Sequence, residues 1–222
     1  MPRVTKLNDV NSVEKVESIR HQVQFCQDCQ LARTRQRTVF GSGNPASKLM
    51  IVAEGPSAKD EQTGQPFTGP AGVLLDDVLA ENQLSREQIW LTNLLKCRAF
   101  VWKDGQSNNR PPKSSEIRSC NRWLSQEVSL IAPTVILCMG TPAAKFIIRP
   151  SFRLAKERGI WFSDNGYAPF VSATYNPAYV LRMPGLGKDF YQGRRLLVED
   201  IAEAKLKLQE VSVKSQLNLF LD

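Results

Sequence analysis

Residues 48–75 carry a pattern that restricts the fold of the whole chain. The apolar run LMIVA at residues 49–53 has the length and composition of a buried strand. A polar loop containing several glycines follows at residues 54–70, and a helix-like apolar pattern begins at Ala71. This order places the loop at the carboxyl end of a strand, where open α/β sheets bind their ligands. Because the loop is longer than a simple connection needs, we expect it to be functional.

The same alternation of strand and helix continues along the chain. Apolar runs that predict further strands lie at residues 88–92, 134–139, 169–174 and, as a short edge strand, 159–162. Helical periodicity is present at residues 13–25, 71–81, 114–131 and 188–209, with a short helix starting near Pro142. Between these elements, residues 98–112 predict a polar, basic loop. The alternation predicts an α/β fold with a mostly parallel sheet and helices on both faces, a three-layer αβα arrangement.

The length of 222 residues predicts one domain, with a loose end at residues 1–11 and a weakly apolar tail at residues 211–222. No apolar run reaches the roughly 20 residues that a membrane-spanning helix needs. The first residues lack the apolar segment of a secretory signal, so we expect an intracellular, cytoplasmic protein. We also expect a monomer that does not bind membranes.

The charge balance indicates which partners are plausible. The net charge is +7 and the isoelectric point is near 9.3. A basic surface suits a nucleic acid, although an ordinary basic protein without such a partner has the same composition. The charge therefore favours a nucleic-acid partner only in combination with other features.

Four of the five cysteines form one candidate metal-binding set. Cys26 and Cys29 form a C-x-x-C pair, whereas Cys97 and Cys120 are isolated in the sequence. Cys138 lies in an apolar run and is most simply a core residue. A zinc ribbon usually has two C-x-x-C pairs, so an iron–sulfur cluster fits at least as well as zinc. A redox-active pair is a third possibility, but the strand–helix unit of thioredoxin-like proteins does not adjoin it.

The single histidine, His21, lies in a helix-like stretch away from these motifs and is interpreted as a surface or packing residue. No Ser-His-Asp or Cys-His catalytic arrangement can then be built, which excludes those hydrolase classes.

Three polar residues, Glu54, Asn93 and Asn176, follow three predicted strands. Because the carboxyl ends of parallel strands lie at one edge of a sheet, we expect them to converge. A carboxylate can activate water, one carboxamide can recognise the edge of a base, and another can donate to a developing anion. With Phe67 as a stacking surface, the set describes hydrolysis of an N-glycosidic bond. The alternatives are a helix cap for Glu54, core packing for Phe67, and turn positions for both asparagines.

Four ordered segments resemble the motifs of the iron–sulfur uracil-DNA glycosylases, known as family 4. These segments are EGP at 54–56, GQPFTGPAG at 64–72, TNLLKCR at 92–98 and TYNPAYVLR at 174–182. The resemblance covers about residues 20–205 and implies an α/β fold with a central, mostly parallel four-stranded sheet. It also implies an enzyme that flips uracil, or another deaminated base, out of DNA and cuts its glycosidic bond.

The resemblance further implies a role for individual residues. Glu54, with Gly55 in the same turn, corresponds to the water-activating motif, and Asn93 to the amide that recognises uracil. Phe67 corresponds to the stacking aromatic, and Asp60 to a second acid that shapes the substrate pocket. The remaining implied residues are the DNA-binding loop, Val180, Leu181 and Arg182, and the [4Fe–4S] ligands, Cys26, Cys29, Cys97 and Cys120, with zinc as the alternative metal.

The chain departs from the family pattern at two positions. The family usually has GEAPG where this chain has AEGPS at residues 53–57, and it usually has histidine where this chain has Asn176. A neutral carboxamide stabilises the uracil anion less well than an imidazole does. It still retains a hydrogen-bond donor, and complete loss of such a donor lowers the rate by ~10²–10³. Related mismatch-specific glycosylases have asparagine at this motif. The alternative function is therefore a DNA-binding protein for damaged bases with weak or lost catalysis.

The segment at residues 98–112 coincides with an insert that, in another branch of the superfamily, carries a histidine that traps DNA covalently. This chain has no histidine there, so that reaction is not expected.

Overall fold

The structure is a computed structural model that describes the backbone of residues 7–163 and 166–219, and side chains at residues 12–163 and 166–213. Its helices are α1 (Leu7–Gln24), α2 (Ala58–Thr63), α3 (Pro70–Glu81), α4 (Ser114–Ile131), α5 (Thr141–Ile147), α6 (Leu154–Glu157), α7 (Pro177–Arg182) and α8 (Phe190–Leu219). Its strands are β1 (Ser42–Gly43), β2 (Leu49–Ala53), β3 (Trp90–Asn93), β4 (Phe100–Lys103), β5 (Gln106–Asn109), β6 (Val135–Met139) and β7 (Phe170–Thr174). Short 3₁₀ helices cover Gln30–Arg33, Arg86–Gln88 and Pro184–Leu186.

The central sheet has the strand order β1-β3-β2-β6-β7. Strands β3, β2, β6 and β7 are parallel, which confirms the predicted four-stranded parallel sheet, and the two-residue β1 adds an antiparallel edge. The chain leaves β2 toward β3 on one side and later returns to β6 on the other. Open α/β sheets bind ligands beside such a reversal in strand order.

Two separate cores cover the two faces of the sheet, because successive residues of a strand point to opposite sides. In β2, Met50 and Val52 face a core that also contains residues of α1, α4 and α5. Leu49 and Ile51 face the other core, which contains residues of α3 and α8. The predicted αβα layering is therefore confirmed. Among the helices within the described residues, none is both long and apolar enough to cross a membrane.

Several local elements differ from the sequence-based expectations. The first helix begins at Leu7 rather than near residue 13, and α8 continues to Leu219 into the segment expected to be a tail. The expected strand at 159–162 is reduced to one antiparallel bridge between Phe162 and Val171. The expected loop at 98–112 contains the β4–β5 hairpin, whose turn residues Asp104 and Gly105 have φ of 52° and 73°. Two consecutive residues with positive φ are typical of the Asp-Gly hairpin turn.

Candidate active site

A cleft of about 980 Å³ lies at the carboxyl ends of the parallel strands. It brings together the predicted residues of the site, which are far apart in sequence. The cleft is lined by Glu54, Gly55, Asp60, Phe67, Asn93, Asn176, Leu181 and Arg182. The register of the strands brings Glu54 and Asn93 together. Ala53 pairs with Asn93 across β2 and β3, and the N–H of Leu95 donates to the carbonyl of Glu54 at 3.2 Å.

Glu54 is a half-buried carboxyl group at the first position after β2. Burial raises its pKa above the ordinary value, and the positive charge of Arg182 partly opposes that rise. A carboxylate that is partly removed from water and has a raised pKa is suited to accept a proton near neutral pH.

Asn93 ends β3 with only 3% of its surface exposed. Its backbone carbonyl accepts a hydrogen bond from Lys96 Nζ at 2.7 Å, which fixes the main chain. Its carboxamide has no hydrogen-bond partner among the residues that the structure describes. A buried amide usually has its donors and acceptors satisfied, so this group is available to a ligand in the cleft.

Phe67 has a backbone conformation that few bulky residues adopt, with φ of 57°. Arg86 holds this segment by donating to the carbonyl of Phe67 at 2.6 Å and to that of Pro66 at 3.1 Å. Asp76 in turn binds the Arg86 guanidinium at 2.6 and 3.1 Å. Gly72 is required here, because a Cβ atom would lie 1.7 Å from the Phe67 carbonyl oxygen.

The position of Phe67 is compatible with both roles considered from the sequence, packing in the core and stacking on a ligand. The residue is 7% exposed and packs in the core between the sheet and α3, and it also lines the cleft. It is therefore held rigidly where a flat ligand would contact it.

Asp60 organises the loop around Phe67. One carboxylate oxygen accepts from the Ser57 N–H at 2.8 Å, in a capping box at the start of α2. The other accepts from the N–H and the hydroxyl of Thr68 at 2.6 and 2.9 Å. Because both oxygens are engaged within the loop, Asp60 fixes the conformation of this part of the cleft wall.

Asn176 is the N-cap of α7, and its Oδ1 accepts from the Ala178 N–H at 2.8 Å. This bond fixes the orientation of the amide, so the Nδ2 group is the end available as a donor. Gly140 lies next to Asn176 and has φ of 97°, and a Cβ atom there would lie 3.3 Å from Asn176 Cβ. The turn interpretation of Asn176 and its predicted donor role are thus compatible.

The DNA-binding assignment of Val180 is wrong for this structure. Val180 is 0% exposed and packs in the core with Met183 and Leu197. Residues 177–182 form a helix, so this position faces inward while Leu181, which is 39% exposed, and Arg182 lie on the outer side at the cleft. The pattern Asn176-Pro177, an N-cap followed by proline, is the signal that predicts this helix.

Cys26, Cys29, Cys97 and Cys120 line one small cavity between α1, the segment after β3, and α4. Four N–H donors point at three of the sulfurs. Trp123 Nε1 and Arg122 Nη2 lie 3.3 and 3.8 Å from Cys26 Sγ, Lys96 N lies 3.2 Å from Cys120 Sγ, and Arg35 Nη1 lies 3.7 Å from Cys97 Sγ. Hydrogen bonds of this kind stabilise metal-bound thiolates.

The buried thiols of this cavity are protonated in the absence of a bound metal. Burial raises the pKa of Cys97 to about 12 and that of Cys120 to about 11. A metal deprotonates a coordinating thiol outright. In the described part of the chain, no group of three or more His, Cys, Asp or Glu side chains is arranged to hold a metal ion. What the structure shows of the four cysteines is therefore that they line one cavity, with N–H donors directed at three of their sulfurs.

Comparison with known proteins assigns the chain to a family. The model of the Uracil DNA glycosylase superfamily matches residues 40–200. The chain belongs to the uracil DNA glycosylase superfamily. It is 32% identical to a type-4 uracil-DNA glycosylase of Thermotoga maritima over 196 residues, which cover 86% of this chain and 94% of that relative. It is similar to the type-4 enzymes of Archaeoglobus fulgidus (32% over 184 residues; 80% and 89%) and Saccharolobus solfataricus (32% over 200; 87% and 86%).

Within this superfamily member, some residues that build the site were not identified from sequence. Arg86 and Asp76 hold the Phe67 segment, and Lys188 lines the cleft while donating to the Tyr179 hydroxyl at 2.7 Å. The rings of Tyr175 and Tyr179 stack with centroids 5.5 Å apart on the same wall. The tyrosines fall within the motif at residues 174–182, whereas nothing in the local sequence links Arg86 to Phe67.

Proposed function

We propose that this protein is a DNA repair enzyme that hydrolyses the N-glycosidic bond of uracil flipped out of DNA, leaving an abasic site. The convergence of Glu54, Asn93 and Asn176 in one cleft is the observation that carries the proposal. Membership of the superfamily and similarity to three type-4 uracil-DNA glycosylases support it, and they do not favour a binding protein without catalysis.

Recognition of the base depends on Asn93 and Phe67. Uracil presents an N3–H donor beside a carbonyl acceptor, and the Asn93 carboxamide offers the complementary acceptor and donor. Cytosine has an amino donor in place of that carbonyl and an unprotonated N3 acceptor in place of the N3–H donor, so both pairs of groups are mismatched in that orientation of the amide. Phe67 supplies an apolar face on which the flipped ring stacks.

In the chemical step, the bond between the sugar C1′ and the base N1 breaks, and its electron pair leaves with uracil. The Glu54 carboxylate takes a proton from the attacking water, whose oxygen bonds to C1′. Negative charge develops on the departing base and spreads to its carbonyl oxygens. The Asn176 Nδ2 group donates to that charge, because its Oδ1 is already engaged by the Ala178 N–H.

DNA approaches the cleft along α7 in this proposal. Leu181 is exposed at the cleft and can occupy the space that the flipped base vacates, and Arg182 can contact phosphate. The net charge of +7 favours a polyanionic substrate. One chain supplies every one of these residues, which supports action as a monomer. We propose that the enzyme also removes other deaminated bases from DNA.

For the cofactor, we propose a [4Fe–4S] cluster on Cys26, Cys29, Cys97 and Cys120 in preference to zinc. The shared cavity and the N–H donors to three sulfurs support this choice. Glycosidic hydrolysis needs no electron transfer, so we expect the role of the bound group to be structural. It would cross-link parts of the chain that are distant in sequence. Brown colour with matching iron and sulfide content supports the cluster, whereas colourless protein prepared without oxygen and loaded with zinc contradicts it.

The test of the activity is cleavage of modified oligonucleotides. Single- and double-stranded substrates containing uracil, hypoxanthine or xanthine are incubated with the protein and then treated with alkali, which breaks the strand at abasic sites. We expect scission at uracil that Glu54→Gln reduces by about 10²–10⁴-fold. No scission with any of the bases, together with unchanged behaviour of Glu54→Gln, would contradict the proposal.

A further inference from the structure

The β4–β5 hairpin, whose base lines the cleft, presents an exposed aromatic side chain. Trp102 is 72% exposed, whereas Trp90 and Trp123 are 1% and 4% exposed. Aromatic residues, tryptophan among them, are enriched at binding interfaces relative to the rest of the surface. The hairpin contributes nothing to the chemistry proposed above, and its exposed tryptophan is accessible to a ligand outside the cleft.

The hairpin is held in place by Arg98. Its guanidinium donates to Asn109 Oδ1 at 2.6 Å and to the hydroxyl and carbonyl of Ser107 at 3.0 and 2.8 Å. The same guanidinium lies 4.9 Å from the centre of the Phe100 ring. Arg98 itself is 6% exposed, so it acts as a buried support beneath one face of the hairpin.

Trp102 belongs to the face that Arg98 supports. Residues directly opposite one another in an antiparallel pair share a face, and Phe100 pairs with Asn109 as Trp102 pairs with Ser107. The Phe100 and Trp102 rings meet edge to face at 6.0 Å. Val101 and Lys103 lie on the opposite face.

The face that carries Trp102 is continuous with the wall of the active-site cleft. Asn109 lines that cleft, as do Ala99 and Arg110, which close the base of the hairpin through an N–H···O bond of 3.0 Å. A DNA strand that places a base in the cleft must leave it past one of its rims. The base of the hairpin forms part of such a rim, and Trp102 lies farther along the same hairpin.

We propose that this hairpin face binds the DNA strand that leaves the cleft, with Trp102 stacking on an unpaired base. The inference rests on the proposed function, because that function brings DNA to the cleft. Aromatic side chains bind single-stranded DNA by stacking with little sequence preference. In a duplex the faces of the bases are already stacked on one another, so Trp102 contributes mainly to single-stranded or locally opened substrates.

Binding is measured by fluorescence anisotropy of labelled uracil-containing oligonucleotides in a Glu54→Gln background, which slows turnover. Trp102→Ala should weaken single-stranded binding by roughly 5- to 150-fold, the range for loss of one base–aromatic stack, and affect duplex binding much less. Trp102→Phe retains an aromatic face and should keep most of the affinity. Val101→Ser, on the other face, should bind as the parent protein does, and thermal midpoints should agree among the variants.

Tryptophan fluorescence gives a second readout. Single-stranded DNA should quench the emission of Trp102, and that quenching should be absent in Trp102→Phe. Equal affinities of Trp102→Ala and its parent, with no quenching, would overturn the inference. A change in self-association without a change in DNA affinity would overturn it in favour of a dimer contact.

The two proposals fail in different ways. If the wild-type protein releases no uracil, yet single-stranded DNA binds through Trp102, the proposed function fails while the binding surface stands. If uracil is released and Trp102→Ala binds and cleaves as the wild type does, only the hairpin inference fails.

Discussion

Lys96 and Glu127 form an ion pair in the interior of the protein, with side chains that are 1% and 0% exposed. The Thr92 hydroxyl contacts both partners, and the Gly41 N–H donates to Glu127 at 2.9 Å. Lys96 Nζ also donates to the Asn93 carbonyl, while the Lys96 N–H points at Cys120 Sγ. One residue therefore joins the thiol cavity to the backbone of the proposed uracil-recognition residue.

Glu127→Gln should destabilise the fold by about 3–5 kcal/mol, because it leaves the Lys96 charge buried without a counter-charge. Urea unfolding measures this change. The matched control is Glu81→Gln, which breaks the exposed pair with Arg194 and should cost less than ~1 kcal/mol. A similarly small decrease in the free energy of unfolding for both variants would show that the interior pair is not needed for stability.

The donor role of Asn176 can be separated from its capping role. Asn176→Asp keeps an oxygen that accepts from the Ala178 N–H, so the stability of α7 should be retained. The variant replaces the Nδ2 donor by a carboxylate oxygen, which repels the departing uracil anion. We expect a fall of at least ~10²–10³ in kcat, measured by single-turnover cleavage. Asn176→His, which introduces a stronger donor, should raise kcat; if it does not, the donor role is contradicted.

The charge of Arg182 should determine the acid limb of the pH–rate profile. Burial raises the pKa of Glu54, and Arg182 lowers it. In Arg182→Gln the effect of burial is no longer opposed, so the pKa of Glu54 rises further. Because the carboxylate is the active form, activity is lost as pH falls through this pKa, and the limb should move to higher pH.

This shift is measured on kcat at saturating DNA, so that weaker binding of the substrate does not contribute. Arg182→Lys keeps the positive charge and should leave the limb close to its wild-type position. An unchanged limb in Arg182→Gln would mean that Glu54 is not the group that titrates.

The sequence predicted those features that depend on local pattern and on the geometry of parallel sheets. Apolar runs located the four parallel strands, and the residues that follow β2, β3 and β7 were expected to converge because strand ends share one edge. Contacts between distant residues could not be predicted in this way. Arg86 reaches the Phe67 carbonyl from 19 residues away, and only the folded chain brings them together.

Other elements were missed although the sequence contained their signals. The pair Ser57 and Asp60 has the spacing of a capping box, and it starts α2 inside the segment expected to be a loop. Asp104-Gly105 is a favoured hairpin turn, but the polar residues around it suggested a loop. The N-cap and proline at Asn176-Pro177 begin a helix, and its periodicity turns Val180 into the core and away from DNA.

Gly72→Ala should disturb the position of Phe67. The added Cβ would lie 1.7 Å from the Phe67 carbonyl oxygen, which is also bound by Arg86, so the backbone must move. We expect weaker substrate binding and lower kcat/KM in the uracil-release assay. Gly185→Ala is the control, because a Cβ there meets no atom within 4 Å and should change little. Equal activities of both variants would contradict a fixed stacking position.

Two of the buried cysteines, Cys120 and Cys138, allow the cluster to be tested against simple packing. Cys120 lines the shared cavity and is 8% exposed, whereas Cys138 lies in β6 at 0% exposure and outside that cavity. Cys120→Ser should reduce the brown colour and the iron content and lower the thermal midpoint, because the cross-link between α4 and the C-x-x-C segment is lost. Cys138→Ala should keep both colour and iron, since it removes only a core thiol. Serine retains the size of the side chain, so a fall in stability that accompanies iron loss in Cys120→Ser, but not in Cys138→Ala, comes from the bound group. Iron loss in both variants would instead mean that the cavity is sensitive to core packing in general.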